Sequence, residues 1–114
     1  MQYVIQSPRV RISDNLEITL QEKFDRLEKY FDRVIQCHLV LKKEKSGQQD
    51  YFKVEARLAV PGNDLFASEQ AASFEVAAEE VCLDLERQIK KLKDKLNRKP
   101  EVSIDHVMND EELE

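Results

Sequence analysis

Hydrophobic positions along the chain change their period several times, and each change predicts an element of secondary structure. Residues 2–6 predict a short strand, which Pro8 ends. At 15–32 apolar residues recur every three or four positions, so we expect one amphipathic helix there. Ser-Asp-Asn at 13–15 signals its start, with Asp14 and Glu17 at capping-box spacing. The residues of its apolar face are Leu16, Leu20, Phe24, Leu27 and Phe31.

The middle of the chain alternates between apolar and polar positions, which is typical of half-buried strands. We predict one strand at 35–42 and another at 52–60, separated by a polar loop at 43–50 that contains Gly47. The predicted inward residues are Ile35, Cys37, Leu39 and Leu41 in the first strand and Phe52, Val54, Ala56, Leu58 and Val60 in the second.

The last third predicts a turn at 61–64, a shorter strand at 65–70 and a long helix. Ser73 can cap that helix and Pro100 stops it. Its single apolar face consists of Phe74, Ala78, Val81, Leu85, Ile89, Leu92 and Leu96. The order β-α-β-β-β-α predicts an α+β fold, in which two helices cover one face of a four-stranded sheet and keep their outer faces free.

At 114 residues, the chain predicts a single α+β domain at 1–100, followed by an acidic flexible tail at 101–114. Its first residues lack the basic and apolar regions of a signal peptide, and no apolar run is long enough to span a membrane. We therefore expect a cytoplasmic protein with reduced cysteines.

The net charge of −5 conceals a separation of charges along the chain. The tail holds six of the 23 acidic residues and no lysine or arginine, so residues 1–100 carry 18 basic and 17 acidic residues. Residues 87–99 are strongly basic, with Asp94 as their only acid. Such blocks matter more for binding than the total charge, because salt screens charges beyond about 8–10 Å.

Metal and catalytic chemistry find little support in the sequence. Cys37 and His38 are adjacent in a strand and point to opposite faces, while Cys82 flanks the apolar face of the second helix as a packed side chain. Two glycines, Gly47 and Gly62, are too few for a glycine-rich phosphate loop. We expect no metal, no cofactor, no small-molecule substrate and no enzymatic activity.

Basic side chains on the outer faces of the two helices are the remaining candidates. A stripe of this kind can neutralise successive phosphates of a nucleic acid. Lysines near a helix C-terminus also have an ordinary explanation, since they stabilise the helix dipole and keep the chain soluble, and charge alone leaves both readings open. The candidates are Lys23, Arg26, Lys29 and Arg33 in the first helix and Arg87, Lys90, Lys91, Lys93, Lys95 and Arg98 in the second.

The outer face of the predicted sheet limits the kind of nucleic-acid contact. Its residues Gln36, His38, Lys53, Glu55 and Arg57 include no aromatic pair, which argues against base stacking on the sheet. We expect contacts from the helices to the backbone and shape of a structured RNA instead.

Four separated segments resemble the ribosome hibernation-promoting factor family, whose members are also called ribosome-associated inhibitors (protein Y) or sigma factor modulation proteins. Together they agree with the family in order and spacing over about residues 1–96. The segments are Val10-Arg11-Ile12-Ser13, the run from Lys23 to Arg33, the run from Leu39 to Lys45 and the run from Leu85 to Leu96.

This resemblance implies a fold similar to double-stranded-RNA-binding domains. It also implies binding to the 16S-type ribosomal RNA of the small subunit, in the channel for messenger and transfer RNA, and silencing of translation under stress. The positions that are basic in the family are Lys23, Arg26, Lys29, Arg87, Lys91 and Lys95, and charge and placement add Arg33, Lys90, Lys93 and Arg98. We expect the free protein to be monomeric.

Two departures from the family pattern bear on the interpretation. The second helix starts with Ser73-Phe74-Glu75 and lacks the Asp-Met-Tyr often found there, although Phe74 can serve as an apolar anchor. The chain ends at 114, so we expect a short form without the additional C-terminal domain of long members. Whether it promotes ribosome dimers or occludes single ribosomes stays open, as do two other functions: an RNA-binding module that acts off the ribosome, and a protein-interaction regulator that uses the tail and Leu83.

Overall fold

The structure, a computed structural model, describes the backbone of residues 1–97 and the side chains through Lys95. It confirms the predicted α+β class, while Arg98 and the predicted tail at 101–114 lie outside the described residues. The elements are β1 (Gln2–Gln6), α1 (Asp14–Asp25), α2 (Leu27–Tyr30), β2 (Gln36–Ser46), β3 (Gln49–Val60), β4 (Asn63–Ala71) and α3 (Phe74–Asn97).

The four strands form one mixed sheet in the order β1-β2-β3-β4. β1 and β2 are parallel, because the chain crosses over through α1 and α2 between them. β2, β3 and β4 are joined by tight turns and pair antiparallel. The helices pack on one face of the sheet, and the other face contacts no helix in the described part of the chain.

The core lies between the sheet and the helices. Most predicted inward residues of β2 and β3 are buried, as are Leu20 and Phe24 of α1 and most of the apolar face of α3, whereas Phe52 is only partly buried. Ile35 is an exception, since it precedes β2 and its side chain is 57% exposed. Its backbone still joins the sheet: the N–H of Ile35 donates to the carbonyl of Ala59, and its own carbonyl accepts from Gln2.

The predicted loop at 43–50 is wrong. β2 and β3 stay paired as far as Ser46 and Gln49, so the connection is a two-residue turn. Gly47 has φ +66° there, which a two-residue hairpin turn accommodates at its first central position. The polar residues misled the interpretation because this end of the hairpin extends beyond the helices and is exposed on both faces.

The single helix predicted at 15–32 ends at Tyr30 and is interrupted at Arg26. The N–H of Lys29 donates to the carbonyl of Arg26 three residues back, so the backbone tightens at this point. The cap also differs from the predicted pair of Asp14 and Glu17. Ser13 is the N-cap, and its hydroxyl accepts a hydrogen bond from the N–H of Leu16 at 3.1 Å.

The start of α3 is fixed as the sequence predicts. The Ser73 hydroxyl accepts a hydrogen bond from the N–H of Val76 at 3.2 Å. Phe74 is buried and packs edge-to-face on Phe52 of β3, with ring centroids 4.9 Å apart. Phe74 therefore anchors the helix on the sheet.

Candidate nucleic-acid interface

A row of three charged residues along α3 faces α1 and α2. Glu79, Glu86 and Lys93 are seven residues apart, which is about two helical turns, so they lie above one another on the same side of the helix. The row is acidic at its first two positions and basic at the third. This change of sign divides the predicted basic residues of α1 and α2 into two groups.

The first group, which we call the inter-helix cluster, consists of Lys23, Arg26, Glu79 and Glu86. The Lys23 ammonium lies 3.2 Å from a carboxylate oxygen of Glu79, and the Arg26 guanidinium contacts both oxygens of that carboxylate at 3.2 and 3.3 Å. Arg26 also lies 3.9 Å from Glu86. Arg26 therefore faces α3, although the sequence placed it opposite the apolar face.

The electrostatics of the inter-helix cluster agree with its geometry. Partial burial alone would raise the pKa of Glu79, but the hydrogen bonds from Lys23 and Arg26 outweigh it and hold that pKa below its usual range. Beneath the cluster, the Cys82 thiol is buried and lies 3.7 Å from the carbonyl oxygen of Lys23. Burial raises the pKa of Cys82 to about 11, despite the nearby Arg26.

The second group lines a cavity of about 500 Å³, which we call the basic cavity. Lys29 comes from α2, Arg33 from the segment after α2, and Lys93 from α3. All three side chains are exposed. Phe31 is buried and has an extended backbone conformation at the end of α2. The chain therefore runs from Lys29 to Arg33 along the cavity wall.

Few carboxylates are available to neutralise the basic cavity. Within residues 1–97, no ion pair involves Lys29, Arg33 or Lys93. Glu28 lines the same cavity, but its carboxylate binds the N-terminal ammonium of the chain at 2.6 Å. Among residues 1–97, Asp32 is then the only other acidic residue that lines the cavity, so these residues give it an excess of positive charge.

The other predicted site residues that the structure describes lie along the exposed side of α3. Arg87 pairs with Asp84 one turn earlier, and Lys91 lies beside it where α3 meets β4. Lys90 and Lys95 are exposed. The structure thus places nine of the ten predicted site residues and divides them among the inter-helix cluster, the basic cavity and the exposed side of α3.

Comparison with known proteins identifies the family. The family model described as Sigma 54 modulation protein / S30EA ribosomal protein matches residues 3–97. The chain belongs to this family. The resemblance seen in the four sequence segments is confirmed.

Relatives with established names support the same membership. The chain is 36% identical to the ribosome hibernation promoting factor of Escherichia coli K12 over 98 residues, which are 86% of this chain and 99% of that protein. It is 33% identical to the Pseudomonas putida protein of the same name over 95 residues, covering 83% of this chain and 89% of the relative.

Solved structures agree with the fold. A ribosomal subunit interface protein from Coxiella burnetii is similar with a TM-score of 0.73 and 22% identity, covering 82% of this chain and 98% of that one. The N-terminal domain of Thermus thermophilus protein Y is similar with a TM-score of 0.68 and 23% identity, covering 81% of this chain and 99% of that one.

The exposed lysine and arginine side chains of this chain can bind anions. Within the described part of the chain, no group of three or more histidine, cysteine, aspartate or glutamate side chains is placed to hold a metal ion. None of the described helices has both the length and the apolar character that crossing a membrane requires. Burial raises the pKa of Cys37 to about 12, so its thiol stays protonated at neutral pH.

Sequence reasoning missed three residues that shape the surface. Glu79 and Glu86 look like ordinary exposed acids of an amphipathic helix, and their seven-residue spacing from Lys93 was the available signal. Phe66 was also missed, because only the two central strands were considered for the outer face of the sheet. It lies between Leu65 and Ala67, which are buried, and therefore points outward from β4.

Proposed function

We propose that the chain is a non-catalytic ribosome hibernation factor that binds the small ribosomal subunit in the channel for messenger and transfer RNA and silences translation under stress. The basic cavity supports this proposal most directly, because Lys29, Arg33 and Lys93 converge there without ion-pair partners in residues 1–97. The names of the relatives supply the ribosome as the site of action.

The basic cavity suits the phosphates of a folded RNA. Unneutralised cations repel one another, so holding three of them around one cavity destabilises the free protein slightly, and a phosphate removes that repulsion. The guanidinium of Arg33 can donate two parallel hydrogen bonds to one phosphate, and the two ammonium groups act as point charges beside it. Contacts of this kind recognise the backbone and shape of the RNA and do not depend on its base sequence.

The exposed side of α3 extends the same surface, with Lys90, Lys91 and Lys95 beyond the cavity. The factor then acts by occupying the decoding region, which excludes messenger and transfer RNA sterically and requires no bond making and no cofactor. This proposal places the protein in the cytoplasm, where ribosomes are, and treats the free chain as a monomer.

The test is co-sedimentation of the intact chain with separated small and large ribosomal subunits at 50 and 200 mM salt. About six phosphate contacts predict that affinity for the small subunit falls roughly 10³-fold between these conditions, because each contact releases condensed counterions. A messenger-loaded small subunit with transfer RNA in place is the matched competitor, and it should bind much less of the chain.

Absence of co-sedimentation at 50 mM salt would contradict the proposal. Equal binding to empty and messenger-loaded subunits would contradict the location in the channel. Affinity for a free RNA duplex as high as for the small subunit would instead favour an RNA-binding module that acts off the ribosome.

A further inference from the structure

A row of four side chains crosses the outer face of the sheet, opposite the helices. Register places Val4 beside His38, His38 beside Arg57, and Arg57 beside Phe66. Their side chains point away from the core, because Leu39, next to His38 in sequence, is buried on the other face. Phe66 is 51% exposed at the end of this row.

Phe66 adjoins two depressions of the surface. One, of about 130 Å³, lies on the outer face and is lined by Arg57, His38 and Phe66 together with Val40 and Glu55. The other, of about 270 Å³, lies between β4 and α3 and is lined by Phe66, Arg87 and Lys91, among others. The ring therefore connects the outer face of the sheet with the basic side of α3.

The position of Phe66 is fixed by its surroundings. The side-chain amide of Gln88 on α3 donates to the carbonyl oxygen of Phe66 at 2.8 Å. Leu65 and Ala67 on either side are buried, which holds this part of β4 against the core. The exposed ring thus belongs to a rigid strand, and an aromatic surface of this kind binds a flat partner with little loss of conformational entropy.

The charge around Phe66 on the outer face favours an anion. Glu55 is engaged by both Lys42 at 3.4 Å and Lys53 at 3.5 Å. Arg57 is exposed and makes no ion pair with another residue of the range 1–97. A free guanidinium next to an exposed aromatic ring matches the combination with which proteins hold single-stranded nucleic acid: the ring stacks a base and the cation holds the adjacent phosphate.

We infer that Phe66 and Arg57 form a binding site for an unpaired nucleotide of single-stranded RNA. The base stacks on the Phe66 ring, the phosphate lies at Arg57, and the RNA continues past β4 towards Lys91 on α3, beside the ion pair of Arg87 and Asp84. Neighbouring residues of paired strands stand about 5 Å apart, which suits one nucleotide across Arg57 and Phe66. The site rests on the proposed function for the source of the RNA, and it adds a second surface that contacts single strands.

A protein partner fits the outer face less well. A stable protein interface requires a contiguous apolar core, whereas the two apolar members of the row, Val4 and Phe66, are separated by the polar pair His38 and Arg57. One aromatic ring among polar and cationic groups is sufficient for a base.

The experiment uses the intact chain and a short single-stranded oligoribonucleotide that carries 2-aminopurine, whose fluorescence falls when the base stacks. Phe66→Ala should weaken binding about 5- to 150-fold and abolish the quenching, since one stacked base contributes that much. Phe66→Tyr should retain both the affinity and the quenching. Ile18→Ala is the matched control, because Ile18 is 54% exposed on α1, away from this face, and its removal should change neither.

Arg57→Gln should weaken binding and make it less sensitive to salt, while leaving the quenching of the bound fraction intact. Equal affinity of wild type and Phe66→Ala for the oligonucleotide would overturn the inference, and so would wild-type binding without quenching. Loss of ribosome binding in Phe66→Ala with unchanged oligonucleotide binding would overturn it in favour of a protein contact. A chain that binds the oligonucleotide through Phe66 but never the small subunit would refute the proposed function and leave this site standing.

Discussion

The inter-helix cluster and the basic cavity are built from the same parts and differ in charge balance. Both place cations of α1, α2 or the following segment opposite the row Glu79, Glu86 and Lys93 on α3. In the cluster, the row supplies carboxylates and the cations are neutralised. In the cavity, the row supplies a third cation, and no carboxylate of residues 1–97 forms an ion pair with the three.

This difference separates two roles that the sequence presents as one basic surface. A cation with a nearby carboxylate on another helix joins the two helices, and a phosphate must compete with that carboxylate. A cation without one is already available to a phosphate. Lys23 and Arg26 should therefore contribute more to the stability of the fold, and Lys29, Arg33 and Lys93 more to binding.

The largest effect is expected from neutralising the basic cavity with Lys29→Gln, Arg33→Gln and Lys93→Gln together. Hydrogen bonds to charged groups contribute about 1.5–3 kcal/mol each, so affinity for the small subunit should fall about 10³-fold or more. The slope of log affinity against log salt should become shallower by about 2–3 units. Co-sedimentation across a salt series measures both.

The control for this triple variant removes the same charge elsewhere. Arg9, Lys43 and Lys45 are exposed and lie outside the predicted site, so replacing them with glutamine should alter affinity far less. If the two triple variants lose affinity equally, binding depends on net charge. The difference between the inter-helix cluster and the basic cavity would then have no bearing on it.

The fold was largely predictable because its hydrophobic periods are regular. Apolar residues such as Leu20 and Phe24 follow the helical period, and Val54, Ala56 and Leu58 the strand period, and all of them are buried. The prediction was wrong at 43–50, where a hairpin exposed on both faces carries no hydrophobic alternation. It also missed the interruption at Arg26, which arises from local backbone tightening that periodicity does not register.

The candidate site was predictable only as a set of charges. Arg26 and Glu79 are 53 residues apart, so nothing local shows that they pair. The same holds for Lys29 and Lys93, which meet in one cavity only because α2 packs against α3. Sequence reveals the types of residue on a helix face, whereas the neutralisation of each depends on tertiary contacts.

Glu79→Gln is expected to lower stability moderately without weakening binding. Arg33→Gln should show the reverse pattern. Removing the Glu79 charge weakens two partly exposed ion pairs, so the free energy of unfolding should fall by about 1 kcal/mol, whereas ribosome affinity should not weaken. Arg33→Gln should leave stability unchanged and weaken binding. Urea denaturation and co-sedimentation measure the two properties, and Glu80→Gln, an exposed neighbour on α3, is the control.

The effect of Glu79 should depend on pH in a defined direction. Its pKa is lowered in the folded protein, so its contribution to stability is present above the unfolded pKa of about 4.3 and is lost as pH falls through the folded pKa. Wild type and Glu79→Gln should therefore differ at pH 7 and become equal at acidic pH. A difference that persists when the carboxyl is protonated would show that Glu79 acts through packing and not through its charge.

The smallest effect concerns the reactivity of Cys82, which lies under the inter-helix cluster. Burial raises its pKa to about 11 and leaves the thiol without exposed surface, so alkylation at pH 8 requires local opening between α1 and α3. If Glu79→Gln lowers the free energy of that opening by about 1 kcal/mol, labelling of Cys82 should become about fivefold faster. Arg33→Gln, which alters only the basic cavity, should leave the rate unchanged.

Cys37 provides the internal reference for this measurement. It is also buried, and it lies in β2, where no residue of the inter-helix cluster is located. Faster labelling of Cys82 with an unchanged rate at Cys37 would show that the Glu79 ion pairs hold α1 and α3 together locally. Equal acceleration at both cysteines would mean that the opening is not confined to the contact between α1 and α3, and the cluster would then be no more than one contributor to overall stability.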